Sequence, residues 1–503
     1  MKVHKSQRAN RTMAKGAPLH LLRNLARFWT AVWLYVIFVL APVASRAQSS
    51  PPDERTIPAL LVSDIHFDLF QDPAKALQLA HVPVSQWNAI LSAPPSSTQK
   101  QDIAALQKAC PVRGVDTPYP LLRSSLQAMR RQQADAKFIT VSGDLIAHSF
   151  DCKYAALVHN STPAQYEDFV TRTIGYVAAE LRDTFPGIPI YIAFGNNDTG
   201  CGDYQLDAGG SFLEHIAPII AESLPSDERE HAAQELAAGG YYNAPLASLR
   251  DTRMIVINDL FLSPRYATCA GKPDPAAADA QMKWLAQQLA QARARGQRVW
   301  VMGHIPPGVD PYTTVTRFRD VCGSEGPAMF LSSDRLTDLL VEYADVVRLA
   351  IFAHTHMDEV RLLSSGTKPG HSVAVKLVPS ISPVDGNNPA FTVARVDAAD
   401  AVLKDYTVIA ASNQTGVGTS WSTEYNYAET YHQPAFSPQA VQKLVTGFQS
   451  DGHAQAEAST AYIRNYFTGA AVPEIRPFWP QYACSLANAT AKTYAACVCS
   501  GSK

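Results

Sequence analysis

The sequence predicts an α/β fold in which buried strands alternate with helices and carry polar turns at their carboxyl ends. Five short apolar runs each stop at a polar turn, which is typical of buried strands. Stretches with helical spacing of apolar residues lie between several of these runs, as a βαβ crossover requires. In open α/β sheets, ligands bind just beyond the carboxyl ends of the strands, so we expect the five turns to meet.

The predicted strands are the apolar runs at residues 59–62, 138–141, 190–194, 299–302 and 349–352. The turns that follow them are Ser63-Asp64-Ile65-His66, Gly143-Asp144, Gly195-Asn196-Asn197-Asp198, Gly303-His304 and Ala353-His354-Thr355-His356. A single Asp-x-His or Gly-Asp is common in surface turns and indicates little by itself. Five such turns in one chain, each ending an apolar run, predict a shared site.

Helical spacing of apolar residues predicts helices at 121–133, 164–182 and 276–294. Residues 68–115 read as an insertion of loops and short helices over the site. After residue 412 the composition shifts to Gly, Ser, Thr and aromatic residues, and a helix is predicted at 437–448.

The candidate metal ligands are Asp64, His66, Asp144, Asn196, His304, His354 and His356. Carboxylate, imidazole and amide groups suit zinc, manganese or iron. Two divalent ions need a shared ligand, and Asp144, alone in its turn, is the predicted bridge. The predicted chemistry is hydrolysis of a phosphate ester by a metal-bridging hydroxide that attacks phosphorus in line.

The chain has 503 residues, of which 47% are hydrophobic, so it can bury a large core. Its net charge of −2, and the lack of a Lys/Arg block after the N-terminal region, give no indication of nucleic-acid binding. A basic stretch, an apolar run at 28–43 and small residues before Ala47 predict a secretory signal peptide, with an uncleaved anchor helix as the alternative. The predicted organisation is signal peptide 1–47, linker 48–55, catalytic domain 56–410 and C-terminal region 411–503.

Eight cysteines fit an oxidising compartment, either secreted or periplasmic. Because Cys152 and Cys201 each follow a ligand turn, they are expected to be near neighbours, with Cys269 and Cys322 as the next pair. Spacing cannot fix the connectivity. A zinc site at Cys497 and Cys499 is a further alternative.

The ligand turns, in this order, resemble the calcineurin-like metallophosphoesterase superfamily. The stretches Gly303-His304-Ile305-Pro306-Pro307-Gly308, His354-Thr355-His356-Met357-Asp358-Glu359 and Gly143-Asp144-Leu145-Ile146-Ala147-His148 resemble its acid sphingomyelinase-like phosphodiesterases, with endopolyphosphatases as near neighbours. The resemblance covers residues 57–410. It implies a four-layer sandwich of two mixed β-sheets flanked by helices, followed here by a small, mostly helical C-terminal region.

The resemblance also implies roles for individual residues. One ion would be held by Asp64, His66, Asp144 and His356, and the other by Asp144, Asn196, His304 and His354. His148 matches a family histidine that approaches the phosphate and protonates the leaving oxygen; the alternative is an uninvolved histidine near the site.

Two positions depart from the family pattern. Asn197 stands where His is usual; an amide can orient a phosphoryl oxygen, so acid catalysis would rest on His148. Ala353 stands where Gly is usual, at a cost of about 1 kcal/mol if that residue needs a positive φ.

Other residues near the turns allow two interpretations. The acidic residues Asp68, Asp358 and Glu359 either orient His rings or are solvated loop acids. The aromatic residues either line a substrate groove or belong to the core; they are Phe67, Phe70, Phe150 and Tyr204.

The predicted function is that of an exported phosphodiesterase acting on small-molecule or lipid-headgroup phosphate esters, with no membrane span after the signal peptide. An endopolyphosphatase or nucleotide phosphohydrolase is the first alternative, and its polyanionic substrate would favour a row of cations such as Arg265, Lys272, Arg317 and Arg319. A metal-binding or adhesion module that has lost catalysis is the second alternative.

Overall fold

The computed structural model describes residues 55–111, 114–364, 370–471 and 475–500. The predicted signal peptide and all but the last residue of the predicted linker lie outside the described residues. Within the described part of the chain, every helix is too short or too polar to span a bilayer.

The described strands form two sheets of six strands each. In chain order they are β1 Thr56–Val62, β2 Phe138–Ser142, β3 Ile190–Ala193, β4 Tyr242–Pro245, β5 Thr252–Val256, β6 Arg298–Met302, β7 Val347–Phe352, β8 Glu359–Ser364, β9 Ser372–Leu377, β10 Ala390–Asp397, β11 Leu403–Ala411 and β12 Trp421–Asn426. The first sheet has the order β12-β11-β10-β1-β2-β3 and the second β4-β5-β6-β7-β9-β8. All five predicted strands are confirmed, as β1, β2, β3, β6 and β7.

Both sheets are mixed. Strands β1, β2 and β3 run parallel, and so do β5, β6, β7 and β9, while the remaining pairs are antiparallel. The sheets contact each other through Phe138 of β2 and Trp300 of β6, whose ring centroids are 5.7 Å apart, edge to face. With helices on the outer sides of the sheets, this is the expected four-layer sandwich.

The predicted helices are also present. The described α-helices are Pro73–His81, Trp87–Ser92, Gln99–Ala109, Tyr119–Gln132, Phe150–Leu157, Pro163–Thr184, Ser211–Ala221, Arg229–Gly239, Pro275–Ala294, Pro311–Thr316, Arg335–Glu342, Tyr427–Tyr431, Pro438–Ser450, Glu457–Tyr466, Trp479–Ser485 and Ala491–Ser500. The longest begins at a capping box, in which the Thr162 side chain accepts from the Gln165 backbone and Pro163 fixes the first turn. The described residues between 68 and 115 form short helices joined by loops, as expected.

The C-terminal region is mostly helical, as predicted. Among its described residues, the strand β12 pairs with β11 at the edge of the first sheet. Its helices include Pro438–Ser450, whose buried side chains Val441, Leu444 and Val445 join the main hydrophobic core. The division of the chain at residue 410 stays a prediction.

The expected cysteine pairs are wrong. The four disulfides are Cys110–Cys152, Cys201–Cys269, Cys322–Cys499 and Cys484–Cys497. Cys152 lies on helix Phe150–Leu157, which packs against helix Gln99–Ala109, and Cys110 directly follows the latter helix. The zinc site at Cys497 and Cys499 is excluded because both sulfurs are in disulfides. Four disulfides fit an oxidising compartment.

Candidate metal centre

The predicted ligands converge where strands of both sheets end. In the first sheet, the backbone N–H groups of Asp64 and His66 donate to the carbonyls of Gly143 and Asp144, at 3.1 and 2.9 Å. The two sheets are joined by His304, whose Nδ1 donates to the Ser142 carbonyl of β2 at 2.8 Å. The strand-end turns therefore form one continuous site.

Backbone strain is concentrated on the ligands themselves. Positive φ angles occur at Asp64 (44°), His66 (43°), Asp144 (55°), His354 (69°) and His356 (65°). Each such residue costs about 1–3 kcal/mol, which only a strongly determined surrounding maintains. Ala353 has no positive φ, so the expected cost at that position is absent and the strain falls on the following His354.

Glycine is required where two turns touch. A Cβ on Gly195 would overlap the Asp144 carboxylate, so a larger residue there would displace the predicted bridging ligand. This close approach gives a physical reason for the glycine that follows the third predicted strand.

The first ligand group consists of Asp64, His66 and His356, all of them buried. The Nε2 atoms of His66 and His356 are 3.2 Å apart. The Asp64 Oδ1 atom lies 3.8 Å from His66 Nε2 and 3.6 Å from His356 Nε2. Three potential ligand atoms therefore face a common point.

The second ligand group lies on the other side of Asp144. The His304 Nε2 atom is 3.2 Å from Asn196 Oδ1 and 3.3 Å from His354 Nδ1. The atom that His354 turns towards this group is thus Nδ1, whereas the other three histidines turn Nε2 inward.

Asp144 lies between the two groups. Its Oδ2 atom is 3.4 Å from His66 Nε2 and 3.2 Å from His304 Nε2. Asn197 holds this carboxylate, since its backbone N–H donates to Oδ1 and its Nδ2 to Oδ2, both at 2.9 Å. The geometry matches that of a carboxylate shared between two cations.

The donor set fits two cations. Both carboxylate oxygens of Asp64 are buried without a hydrogen-bond partner, and several imidazole nitrogens face one another. Burial lowers the pKa of a histidine, yet the Asp144 carboxylate raises the pKa of His66 to about 9 and that of His304 to about 10. The carboxylate charge that raises these two pKa values also favours metal cations at the site.

Hydrogen bonds from the outward ring nitrogens set the tautomers of His66 and His304. His66 Nδ1 donates to the Ile146 carbonyl at 2.9 Å, as His304 Nδ1 does to Ser142. His354 Nε2 lies 3.3 Å from the Tyr204 hydroxyl. Each hydrogen bond leaves the inward nitrogen free to ligate.

His148 lies beside the first ligand group. Its ring stacks on that of His66, with centroids 4.0 Å apart. Its Nδ1 is 3.0 Å from Asp116 Oδ1, and its backbone N–H donates to Asp116 Oδ2 at 2.8 Å. The side chain is about one-third exposed, so Nε2 remains available to a substrate.

The sequence missed Asp116 because no local pattern marks it. Asp259 follows a sixth apolar run, at 254–257, and could have been found by the same reasoning as the other turns. Its carboxylate accepts from the backbone N–H groups of His304 and Ile305, at 2.8 and 3.0 Å. Asp198 similarly accepts from Leu145 and Gly195, which ties two ligand turns together.

Both interpretations of the neighbouring acids are wrong. Asp68, Asp358 and Glu359 are buried rather than solvated, and their ion-pair partners are lysine or arginine rather than histidine. Asp68 pairs with Lys153, Asp358 with Lys376 and Glu359 with Arg361. These acids belong to buried ion pairs of the core.

The aromatic candidates divide into two classes. Phe67, Phe70 and Phe150 lie in the hydrophobic core and contact other aromatic rings there. Tyr204 is also buried but reaches a ligand, His354. Only Tyr204, among these four, touches the metal centre.

A cavity of about 440 Å³ opens beside the second ligand group, where it includes His354 and Thr355. Six Phe and Tyr side chains contribute to its lining: Tyr312, Phe330, Tyr466, Phe467, Phe478 and Tyr482. Its carboxylates are those of Asp310, Glu359 and Asp385. The C-terminal region supplies one wall.

The cations predicted for a polyanionic substrate do not line this cavity. Arg265 pairs with Asp203 at 3.0 Å. Arg319 donates to the backbone carbonyls of Gly326 and Glu325, at 2.8 and 2.9 Å. Among the described residues, no row of free cations borders the cavity.

The chain is similar to known phosphoesterases. A family model described as "Calcineurin-like phosphoesterase" matches residues 57–358, a range that contains all seven predicted ligands. The chain is 26% identical over 342 residues to a cyclic GMP-AMP phosphodiesterase of Rattus norvegicus, covering 65% of this chain and 70% of the relative. It is 26% identical over 352 residues to a sphingomyelinase phosphodiesterase of Dictyostelium discoideum, covering 67% and 72%. A solved dimetal phosphatase of Danio rerio aligns with a TM-score of 0.37 and 12% identity, over 73% of this chain and 98% of its own.

Proposed function

Because the chain belongs to the calcineurin-like phosphoesterase family, we propose that it hydrolyses phosphate diesters with a pair of divalent metal ions. The shared position of Asp144 carries this proposal. Its Oδ2 atom lies within 3.4 Å of a histidine from each ligand group, so one carboxylate can serve two cations. Asp64, His66, Asp144 and His356 would hold one ion, and Asp144, Asn196, His304 and His354 the other.

When bound, such a pair of ions supplies activation of water and neutralisation of phosphoryl oxygens. The protein's own residues hold the ligand side chains in position. Asn197 fixes both oxygens of Asp144, so the carboxylate cannot rotate away from either group. We assign Asn197 to this role rather than to contact with a phosphoryl oxygen.

His148 is the proposed general acid. Asp116 accepts from Nδ1 and the backbone of His148, which leaves Nε2 as the atom that can protonate a leaving oxygen. Asp116 is itself held by the Ser382 hydroxyl at 2.9 Å. The His148 ring, stacked on His66, is thereby kept beside the metal centre.

The lining of the cavity favours a phosphate diester over a polyanion as the substrate. A diester has a second alcohol arm, and an aromatic-lined cavity next to His354 can take it. Among the described residues that line the cavity there is no lysine or arginine that would attract a chain of phosphates. The similarity to a cyclic GMP-AMP phosphodiesterase and a sphingomyelinase phosphodiesterase supports the same choice over an endopolyphosphatase.

The retained ligand set weighs against a binding module that has lost catalysis. A binding remnant has no need of a shared carboxylate held by two hydrogen bonds. Zinc is the proposed metal because imidazole and carboxylate ligands suit it, with manganese and iron as alternatives. Export to a secreted or periplasmic location is supported by the four disulfides.

A panel of substrates tests the function. Metal-loaded protein is assayed on bis(p-nitrophenyl) phosphate, p-nitrophenyl phosphate, a choline phosphodiester, ATP and polyphosphate. We expect the diesters to be cleaved with the highest kcat/KM. Preference for polyphosphate or ATP would establish the alternative, and no turnover by protein that carries two metal equivalents would identify a binding module.

A further inference from the structure

Asp203 contacts a member of the second ligand group, and Arg265 in turn contacts Asp203, although neither residue is itself a predicted metal ligand. Asn196 Nδ2 donates to Asp203 Oδ1 at 2.7 Å, and Arg265 Nη2 donates to Asp203 Oδ2 at 3.0 Å. We propose that Asp203 and Arg265 are positioning residues for the ligands of the second metal ion. The inference rests on the proposed function, because it assumes that this ion is bound.

Asp203 determines which way the Asn196 amide faces. An amide presents an oxygen on one side and an NH₂ group on the other, and a carboxylate only accepts hydrogen bonds. The NH₂ group must therefore face Asp203, which directs Oδ1 to within 3.2 Å of His304 Nε2. Without Asp203, the amide could turn over and present its NH₂ group to the cation, which cannot ligate.

Arg265 also acts on a second ligand through Tyr204. Its guanidinium carbon lies 3.8 Å from the centre of the Tyr204 ring. The Tyr204 hydroxyl lies 3.3 Å from His354 Nε2, and by accepting from an Nε2–H group it would leave Nδ1 to face the metal. One arginine thus supports both Asn196 and His354.

The backbone around these side chains is fixed by several contacts. The Cys201–Cys269 disulfide joins the two loops that carry Asp203 and Arg265. The Leu206 N–H donates to the Ala267 carbonyl at 3.0 Å, and the Ala267 N–H donates to the Tyr204 carbonyl at 3.1 Å. Arg265 therefore projects from a defined position although its side chain is 64% exposed.

The exposure of the ion pair makes its role testable apart from stability. A surface ion pair contributes about 0–1 kcal/mol to folding. Its loss should therefore leave the melting temperature of the metal-free protein nearly unchanged. Loss of a group that orients a metal ligand typically weakens metal binding by about 10–100-fold.

The experiment measures zinc binding to metal-free protein by competition with a chromogenic chelator, together with the bound stoichiometry. The variants are Asp203→Leu, Asp203→Asn and Arg265→Met, with Asp279→Leu and Arg335→Met as controls from another exposed ion pair, whose atoms are 2.6 Å apart. We expect Asp203→Leu and Arg265→Met to weaken one of two zinc equivalents by about 10–100-fold. Asp203→Asn should weaken it less, because an amide oxygen still accepts from Asn196.

Two equivalents bound with wild-type affinity by both Asp203→Leu and Arg265→Met would overturn the positioning role and leave the proposed function standing. Fewer than two equivalents in the unaltered protein would instead remove the metal pair, and the positioning role with it. If Asp203→Leu lowers the melting temperature of the metal-free protein, its zinc affinity cannot be separated from its stability. The zinc affinity of Arg265→Met then tests the positioning role, because the Arg265 side chain is on the surface.

Discussion

At the scale of single residues, the metal centre places strained backbone and buried charge on the same side chains. Asp144 has a positive φ, is buried, and carries a pKa that burial raises but that His304 and His66 lower well below its usual value. Several favourable contacts must therefore hold it, including both hydrogen bonds from Asn197. Both ligand groups depend on this carboxylate, because its Oδ2 atom lies near a histidine of each.

Replacing Asp144 with Asn should abolish activity and reduce the bound metal to one equivalent or fewer. The amide keeps the size of the side chain but carries no negative charge, and its NH₂ group would face a donor of Asn197, so it cannot hold two cations as the carboxylate does. Metal analysis and turnover of bis(p-nitrophenyl) phosphate measure both effects. Near-normal turnover would contradict the bridging role.

Replacing His148 with Ala should slow esters with poor leaving groups much more than nitrophenyl esters. A general acid contributes about 10²–10⁴-fold, and only a leaving oxygen that needs a proton benefits from it. The comparison uses kcat/KM for an alkyl diester and for bis(p-nitrophenyl) phosphate. Equal losses on the two substrates would remove His148 from the acid role.

At the scale of elements, the sequence was most informative where structure is local. Strands β1, β2, β3, β6 and β7 and their terminal turns were predictable because an apolar run and a polar stop are adjacent in the chain. The cysteine pairs were not, since Cys322–Cys499 spans 177 residues. Asp116 and Asp203 were missed for the same reason: each acquires its role only through a partner that folding brings to it.

The helices of the C-terminal region form a wall of the cavity, so changes there should alter substrate affinity more than the chemical step. Phe478 lines the cavity and is 40% exposed, so Phe478→Ala should fold normally. Loss of about 1 kcal/mol of apolar contact would raise KM for a diester with a large arm by roughly fivefold. The substrate methyl p-nitrophenyl phosphate should be unaffected.

The matched control for Phe478→Ala is Val417→Ala. Val417 is an exposed apolar residue of the same region that does not line the cavity. It should leave both substrates unchanged. An equal rise in KM for the large and small diesters in Phe478→Ala would show that the cavity does not receive the second arm.

At the scale of the whole molecule, a long-range disulfide joins the segment after helix Pro311–Thr316 to the last described helix. Replacing Cys322 and Cys499 with serine should lower the free energy of unfolding by about 2–5 kcal/mol, because the closed loop is long. Removing the Cys484–Cys497 disulfide, whose cysteines are 13 residues apart, should lower the free energy of unfolding by a smaller amount. Denaturant unfolding of the two double variants without reductant compares them, and the reverse order would contradict this account.

Metal binding should also stabilise the whole fold, because the two sheets share the ligands. The first sheet supplies four ligands, Asp64, His66, Asp144 and Asn196, and the second supplies three, His304, His354 and His356. The seven ligands are spread over residues 64–356, so an unfolded chain binds the ions much more weakly than the folded protein does. At a free metal concentration 100 times Kd, each ion adds about 2.7 kcal/mol to stability.

Removal of the ions with a chelator should accordingly lower the melting temperature by about 5 °C for a chain of this size. Calorimetry of the metal-loaded and metal-stripped protein measures the shift, and readdition of zinc should restore it. Asp144→Asn serves as the control, since a centre without its shared carboxylate should show a smaller shift. An unchanged melting temperature after verified loss of both ions would mean that the cations do not cross-link the sheets, and that the convergence of five strand ends has another cause.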